Sequence, residues 1–236
     1  MSIWFGKSIK CLSFEILSNT STFSTASGNY STATGYFTIA GPYASVALGR
    51  FNDPTANYDR YAWVGNDPLF MIGNGNSNIN RSNAFTVLKN GNTGFGISSP
   101  NHPIHHSSGA HLTSGGTWTN ASSRVRKENI TSLNGGTILA KVLSLPVTRW
   151  KYKGTEEYHV GPMAEDFYNT FKLGIDNTAI STVDINGVAL ISIQELANQN
   201  KELKKLNEDL KLILSQQHIE INKLKEMVNT LMNSKN

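Results

Sequence analysis

A serine and a lysine stand five positions apart near the middle of the chain, in the stretch TNASSRVRKENI (119–130). A serine hydroxyl is a weak nucleophile unless a neighbouring base takes its proton, and an uncharged lysine amine can serve as that base. Ser122 and Lys127 are therefore the candidate nucleophile and base of an acyl-transfer reaction. The same spacing also occurs between an ordinary linker serine and a surface lysine, so spacing alone leaves both interpretations open.

The spacing also constrains the backbone. Residues five apart on an α-helix are rotated by about 140° from each other and do not share a face. We therefore expect Ser122 in an extended or turn segment, with helix beginning at or after Lys127. Alternatively, the lysine acts across a subunit boundary. Arg124 and Arg126 flank Lys127, and nearby cations favour the neutral form of a lysine.

The composition changes at the same point in the chain. Up to Ala121 there are six Lys/Arg and four Asp/Glu, and from Ser122 onward there are fifteen and thirteen, while glycine falls from fourteen to six. Such a change predicts a boundary between two parts of a 236-residue chain. The net charge is only +4 and no dense Lys/Arg patch is interleaved with aromatics, which argues against a nucleic-acid partner.

Targeting and membrane signals are absent from the sequence as we interpret it. The first 17 residues, MSIWFGKSIKCLSFEIL, lack the apolar core and small-residue cleavage site of a signal peptide, so none is predicted. No apolar run approaches the roughly 20 residues of a membrane span. Cys11 is the only cysteine, which excludes an internal disulfide framework.

The first half contains a repeat. SGNYSTATGYF (27–37) and GPYASVALGRF (41–51) share Ser, Ala, Gly and Phe at a spacing of fourteen residues. Alternating small residues with a glycine at the end of each short strand suit a stacked β-solenoid. Two repeats cannot close a core alone, so we expect partner chains to complete it. The pattern resembles the head repeats of trimeric autotransporter adhesins and the shafts of phage tail fibres; ordinary Gly/Ser-rich loops are the alternative.

Residues 61–121 read as a further β-rich segment. Two apolar runs between 61 and 97 predict short strands, and an Asn-Gly in the second favours a tight hairpin turn. Four histidines then stand close together: His102, His105, His106 and His111. Clustered histidines can ligate metal, but no cysteine or carboxylate joins them, so a surface linker is favoured and neither a metal nor a cofactor is predicted.

The C-terminal part predicts a coiled coil. No proline follows Pro162 and no glycine follows Gly187, so nothing breaks a helix from Val188 onward. Apolar residues recur with a 3–4 spacing, here called the seam: Leu196, Leu203, Leu206, Leu210, Ile213, Leu224, Met227 and Leu231. Gln217 and Glu220 are polar at seam positions. The alternative is a single amphipathic helix folded back on its own domain.

Residues 122 to about 215 resemble a known family, the intramolecular chaperone auto-processing domain of phage tail spikes and fibres, including endosialidases. The resemblance rests on three landmarks in order: SSRVRKENI (122–130), YHVGPMAED (158–166) and STVDINGVALISIQEL (181–196). Two positions depart from the usual pattern, since Ser123 stands where many phage members have Asp and Val125 stands where Arg is common.

The resemblance implies a function. Domains of this family drive trimerisation of the fibre ahead of them and then cut themselves off just before the serine. Carried over, the bond is Ala121–Ser122, Ser122 is the nucleophile and Lys127 the base of a single-turnover self-cleaving serine peptidase. His159 is interpreted as a structural histidine, and Glu165 and Asp166 receive no role. The alternative is a structural fibre or adhesin tip that does not cleave itself.

Together these patterns predict an α+β, elongated, multi-part, trimeric chain. The expected parts are head-like β repeats (1–60), a β-rich fibre or connector (61–121), a chaperone auto-processing domain of mixed α/β structure (122–193) and a C-terminal coiled coil (194–236). The expected partners are two further copies of the chain and a host-surface or glycan ligand for the β-half. The expected location is a virion tail fibre or a bacterial cell surface.

Overall fold

The computed structural model describes the backbone of residues 11–14 and all of residues 24–233. The chain divides into two compact units, Met1–Asn129 and Ile130–Asn236, which are described separately below. The prediction that residues 1–17 hold no signal peptide falls largely outside the described residues. None of the described helices is both long enough and apolar enough to cross a membrane.

The first unit is made of short strands. Those described are β1 (Cys11–Phe14), β2 (Thr25–Ala26), β3 (Ser31–Tyr36), β4 (Ile39–Ala40), β5 (Val46–Arg50), β6 (Pro68–Asn74), β7 (Asn83–Leu88), β8 (Thr93–Phe95), β9 (Ile104–His106), β10 (His111–Leu112) and β11 (Trp118–Thr119). Nine of these described strands form one sheet in the order β1-β3-β5-β6-β7-β8-β9-β10-β11, and β2 pairs with β4 separately.

Residues 24–52, here called the solenoid, coil with a period of seven residues. One series of buried small or polar residues is Ser24, Ser31, Thr38, Ser45 and Asn52, and a buried alanine series follows two positions later at Ala26, Ala33, Ala40 and Ala47. Each segment ends on a residue with positive φ, namely Tyr30, Phe37, Ala44 and Phe51. Two segments make one turn, so Ala33 lies opposite Ala47 and Ala26 opposite Ala40 in parallel pairs.

The solenoid core is closed within a single chain. Its four alanines cluster with Met71, and all five residues are buried. The buried hydroxyls are satisfied internally: Thr38 donates to Ser24 Oγ at 2.8 Å, and Ser24 donates to the Gly35 carbonyl at 2.8 Å. The expectation that partner chains complete this core is therefore wrong. Alanine side chains are small, so the two layers of each turn lie close together and fill the space between them without a partner chain.

Glycine is required where the parallel strands stack most closely. Gly35, Gly49 and Gly73 are opposite one another in β3, β5 and β6. A Cβ on Gly35 would come within 1.9 Å of the Gly49 carbonyl oxygen, and one on Gly49 within 2.3 Å of the Gly73 carbonyl oxygen. Any side chain at Gly35 or Gly49 would force the strands apart, which explains why glycine recurs in the repeat.

Beyond β6 the sheet is mostly antiparallel, with one parallel pair, β8 with β9. β6 pairs with β7, and β7 forms a hairpin with β8 through Asn90 and Gly91, where Gly91 has a φ of 91°. The hairpin predicted from Asn-Gly is present. The expectation of a surface linker over 102–111 is wrong, because β9 and β10 pair with each other and β9 pairs in parallel with β8.

The second unit combines helices with a small sheet. Its described elements are α1 (Gly135–Ser144), β12 (Thr148–Lys151), β13 (Tyr158–Gly161), α2 (Ala164–Phe171) and α3 (Thr182–Asn233). β12 and β13 form a hairpin, and α1 packs against α3, where Leu139 of α1 and Val188 of α3 are buried. α3 begins at Thr182, so Gly187 lies inside this helix.

The distal part of α3 is uncovered in the single chain. Every residue from Leu196 to Asn233 is exposed, including all eight residues of the seam. Leu203 is 57% exposed and Leu224 is also 57% exposed, values unusual for leucine in a folded helix. The described structure is thus mixed α+β, with a large sheet and a long C-terminal helix.

Candidate functional site

A single 3-10 turn, Arg124–Arg126, brings the two candidate reactive side chains together. Ser123 before the turn and Lys127 after it are both extended, with ψ of 140° and 145°. Across this turn, Lys127 Nζ comes to 2.8 Å from Ser122 Oγ. This distance fits a hydrogen bond in either direction: a charged ammonium can donate to the hydroxyl oxygen, or a neutral amine can accept the hydroxyl proton.

The backbone around the pair differs in part from the expectation. Ser122 lies outside any helix, but the helical turn lies between Ser122 and Lys127 rather than beginning at or after the lysine. Both side chains belong to one chain here, so their contact needs no subunit boundary.

A turn of the neighbouring sheet contacts this segment. The Arg126 guanidinium donates a hydrogen bond to the carbonyl oxygen of Ser108, in the turn between β9 and β10. Gly109 of that turn faces Ala121, and a Cβ built on it would lie 3.1 Å from Ala121 Cβ. Sequence reasoning missed this contact, since residues 108 and 126 are far apart in sequence and no motif links them.

The site is open to solvent in the single chain. Ala121, Ser122 and Lys127 are all exposed. A lysine acts as a base only in its neutral form, which burial favours over the charged form. Ser122 and Lys127 make the contact that activation of a nucleophile requires. Exclusion of water strengthens such chemistry, and the single chain does not exclude water from this pair.

His159 lies in β13 among aromatic rings. It pairs in register with Trp150, and its ring centroid is 4.9 Å from that of Trp150 and 5.7 Å from that of Tyr152. This packing agrees with a structural role. Glu165 and Asp166 lie in the first turn of α2, where a negative charge interacts favourably with the helix dipole.

Three of the clustered histidines meet beside β9 and β10. The ring of His102 stacks on that of His111 at 3.6 Å between centroids, and lies 5.1 Å from the ring of His105. Burial, and then the neighbouring His102 and His111, lower the pKa of His105 from its ordinary value. Within the described residues, no group of three or more histidine, cysteine or acidic side chains is placed to hold a metal ion.

Residues 122–172 match a family model. The family is one of peptidases and is described as chaperone of endosialidase. The matched segment begins at Ser122 and includes Lys127, and the match supports a chaperone-type role for it. No curated protein and no solved structure matches the chain.

Proposed function

We propose that the region from Ser122 onward is an intramolecular chaperone that trimerises the β-structured part of the chain and releases itself by cutting the Ala121–Ser122 bond. The observation that carries the proposal is the 2.8 Å contact between Lys127 Nζ and Ser122 Oγ. The family match over 122–172 supports the chaperone role, and it begins at the serine that would attack.

The reaction is an acyl shift followed by hydrolysis. Neutral Lys127 takes the hydroxyl proton of Ser122, and Oγ bonds to the carbonyl carbon of Ala121. The Ala121–Ser122 amide bond then breaks, and the proton passes from Lys127 to the departing α-amine of Ser122. Water hydrolyses the resulting ester, leaving a carboxylate on Ala121 and the free serine hydroxyl. Each chain therefore reacts once.

Trimer formation is supported by the uncovered seam on α3. Helices in proteins gain most of their stability from packing, and the exposed, regularly spaced leucines of Leu196–Asn233 need a partner to bury them. Two further copies of this chain supply the same surface in register. In the assembly, neighbouring copies can cover the exposed Ser122 and Lys127, and removal of water favours the neutral form of a lysine.

Cleavage is tested with the purified chain and four variants. We expect wild type to yield a fragment whose N-terminus is Ser122, identified by mass spectrometry. Ser122→Ala and Lys127→Ala should remain full length, and Lys127→Arg should too, because a guanidinium stays protonated. Ser123→Ala is the matched control and should still cut.

Two outcomes would contradict the mechanism. If wild type remains intact after assembly, the chain is the non-cleaving fibre or adhesin tip. If Ser122→Ala still produces a fragment that begins at residue 122, another group is the nucleophile. Cleavage by Ser123→Ala at an unchanged rate shows that the hydroxyl at position 122, and not its neighbour, is responsible.

A second candidate function, binding of a surface glycan by the β-half, is favoured by the loop between β5 and β6. Tyr61 lines a groove of about 660 Å³ and is 74% exposed, and Trp63, two residues further along the loop, is 56% exposed. Asp59 lines the groove, and the backbone N–H groups of Tyr61 and Ala62 hold the pKa of its carboxyl below the ordinary value, so it remains an acceptor for sugar hydroxyls. Aromatic faces beside such acceptors suit sugar rings.

Glycan-array binding by the full chain tests this second function. We expect Tyr61→Ala to abolish the bound signal, while Phe95→Ala, an exposed aromatic residue of β8 outside the loop, should keep it. Equal loss in both variants, or no glycan retained by wild type, would contradict the assignment.

A further inference from the structure

A buried lysine and a buried aspartate lie side by side where β6 begins and β7 ends. Asp67 directly precedes β6 and Lys89 directly follows β7, and the Lys89 N–H donates to the Asp67 carbonyl at 3.0 Å. The exposed fraction of the side chain is 0% for Lys89 and 4% for Asp67. Lysine and aspartate are almost never fully buried unless they are paired. The contact between these two side chains therefore decides what the site can do.

The contact between the two charged groups is loose. Lys89 Nζ lies 3.6 Å from Asp67 Oδ2, which is longer than an ordinary hydrogen bond between nitrogen and oxygen. Within the part of the chain that the structure describes, this Nζ has no hydrogen-bond partner. Transfer of one proton within such a pair leaves a neutral amine beside a neutral carboxylic acid, and neither group then carries a buried charge. An amine and a carboxylic acid are the two reactants of amide formation.

Two aromatic rings enclose the amine. Lys89 Nζ lies 5.3 Å from the ring centroid of Trp63, in the loop between β5 and β6, and 5.8 Å from that of Tyr43, in the turn before β5. With its side chain 0% exposed, Lys89 is shielded from solvent. Exclusion of water favours amide formation, because the reaction releases water and because a dry site strengthens the interactions that guide it.

A backbone N–H is directed at the carboxyl group. The Asp59 N–H donates to Asp67 Oδ2 at 3.0 Å. When an amine attacks a carboxyl carbon, the carbonyl oxygen becomes negatively charged, and a fixed N–H donor stabilises that charge. Asp59 is itself held in place, since its carboxylate accepts from the N–H groups of Tyr61 and Ala62 at 2.7 and 2.9 Å. The site thus combines an amine, a carboxyl group and a donor for the developing charge.

We propose that Lys89 and Asp67 condense with each other to form an amide cross-link between their side chains. Nζ of the neutral amine bonds to Cγ of the neutral Asp67 carboxylic acid. A proton moves from the nitrogen to the Asp67 oxygen that Asp59 does not hold, the bond from Cγ to that oxygen breaks, and one water molecule leaves. Atoms and charges balance without an oxidant, a metal or a cofactor. The cross-link is independent of the self-cleavage proposed above.

The cross-link would close a covalent loop of residues 67–89 that contains β6 and β7. β6 is the strand at which the sheet changes from parallel pairing, with β5, to antiparallel pairing, with β7. The pairing of β6 with β7 is irregular, with one register shift between Pro68 and Phe70, next to the proposed bond. Such irregularities interrupt the hydrogen bonds of a strand pair. A covalent bond would hold the two strands together at the end where their hydrogen bonding is interrupted.

Mass spectrometry of the purified wild-type protein tests the proposal. We expect the polypeptide that contains residues 67 and 89, either the full chain or a released fragment, to be lighter than its sequence mass by one water molecule. Trypsin should not cut after Lys89, because an acylated lysine has lost its charge. Peptide 61–81 should therefore be recovered joined to the peptide that begins at Ser82, and fragmentation should place the junction at Asp67 and Lys89.

A second lysine and carboxylate pair provides the matched control. Lys151 Nζ lies only 3.0 Å from Glu156 Oε1, but the side chains of this pair are 36% and 94% exposed. We expect these two side chains to remain unlinked in wild type, because water surrounds them. Lys89→Arg should retain its full sequence mass, since a guanidinium stays protonated and cannot attack. Lys151→Arg should still lose one water molecule.

The possible results separate clearly. Wild type at its full sequence mass, cut by trypsin after Lys89, would overturn the proposal and leave an ordinary buried ion pair. Loss of water that persists in Lys89→Arg would assign the loss to another group and would also overturn it. A link between Lys151 and Glu156 would contradict the role given to enclosure. If Lys89→Arg does not fold, the wild-type digest still decides, because it identifies the bond directly.

Discussion

The solenoid and the distal part of α3 have equally regular sequences, but only the solenoid buries its regularly spaced apolar residues within one chain. In the solenoid, a period of seven places alanines such as Ala33 and Ala47 in a core that one chain closes completely, at 0% exposure. In α3, a period of seven places leucines such as Leu203 and Leu210 on a face that the chain leaves bare. A regular apolar pattern thus predicts a surface that needs to be buried. Side-chain size and strand geometry decide whether a single chain can bury that surface by itself.

The largest expected effect comes from placing charge in the seam. Leu203→Glu with Leu210→Glu should convert the assembled chain to monomers, since each leucine buried between helices contributes about 1.5–3 kcal/mol and a buried carboxylate opposes packing. Sedimentation equilibrium measures the mass. Lys204→Glu with Lys211→Glu, outside the seam, is the control and should remain assembled. A double leucine variant of unchanged mass would show that the seam joins no partner.

An intermediate effect is expected from filling the closed core. Ala47→Leu should destabilise the solenoid by about 1–3 kcal/mol, because Ala33 and Met71 lie directly opposite and leave no room for three more carbons. The urea midpoint of the β-sheet circular dichroism signal measures this. Val46→Leu, on the other face of the same strand, should shift the midpoint much less. If Ala47→Leu instead changed the assembled mass, the core would not be closed within one chain.

The smallest expected effect concerns pH. The folded pKa of His105 is below the 6.5 of the unfolded chain, so the folded state binds fewer protons in this range. Stability contributed by neutral His105 is complete above pH 6.5 and is lost as the pH falls below it toward the folded pKa. The melting temperature of the β-half should therefore drop on acidification. His105→Asn should flatten that drop, whereas His218→Gln, on α3, should leave it as in wild type.

Much of the fold follows from patterns that are local in sequence. The hairpin at Asn90 and Gly91 and the long helix were predictable because a tight turn and a heptad spacing each have a short-range cause. The repeat was recognised at fourteen residues although its structural period is seven. The left-handed residues Tyr30, Phe37, Ala44 and Phe51 carry that shorter period, and four different side chain sequences around them obscured it.

A second apolar series lies beside the seam and was missed in the sequence. Leu214, Ile221 and Val228 recur every seven residues, and all three are exposed. The contact of Arg126 with Ser108 lay beyond sequence reasoning altogether, because it depends on where a hairpin turn falls in space. The spacing in the sequence predicted the reactive pair, Ser122 and Lys127, but it could not predict the contact of Arg126 with Ser108 beside that pair.

The glycine column formed by Gly35, Gly49 and Gly73 has a consequence for the length of the molecule. Each turn of the solenoid advances by one strand spacing, about 4.8 Å, and presents the same carbonyl to the next glycine. Removing residues 31–44 would join Tyr30 to Ser45 and restore the same order of serine, alanine and glycine one rung lower. Removing seven residues instead would exchange the two layers. The length of this region can therefore change only by whole turns, because the absence of a side chain at each stacked glycine sets the spacing between turns.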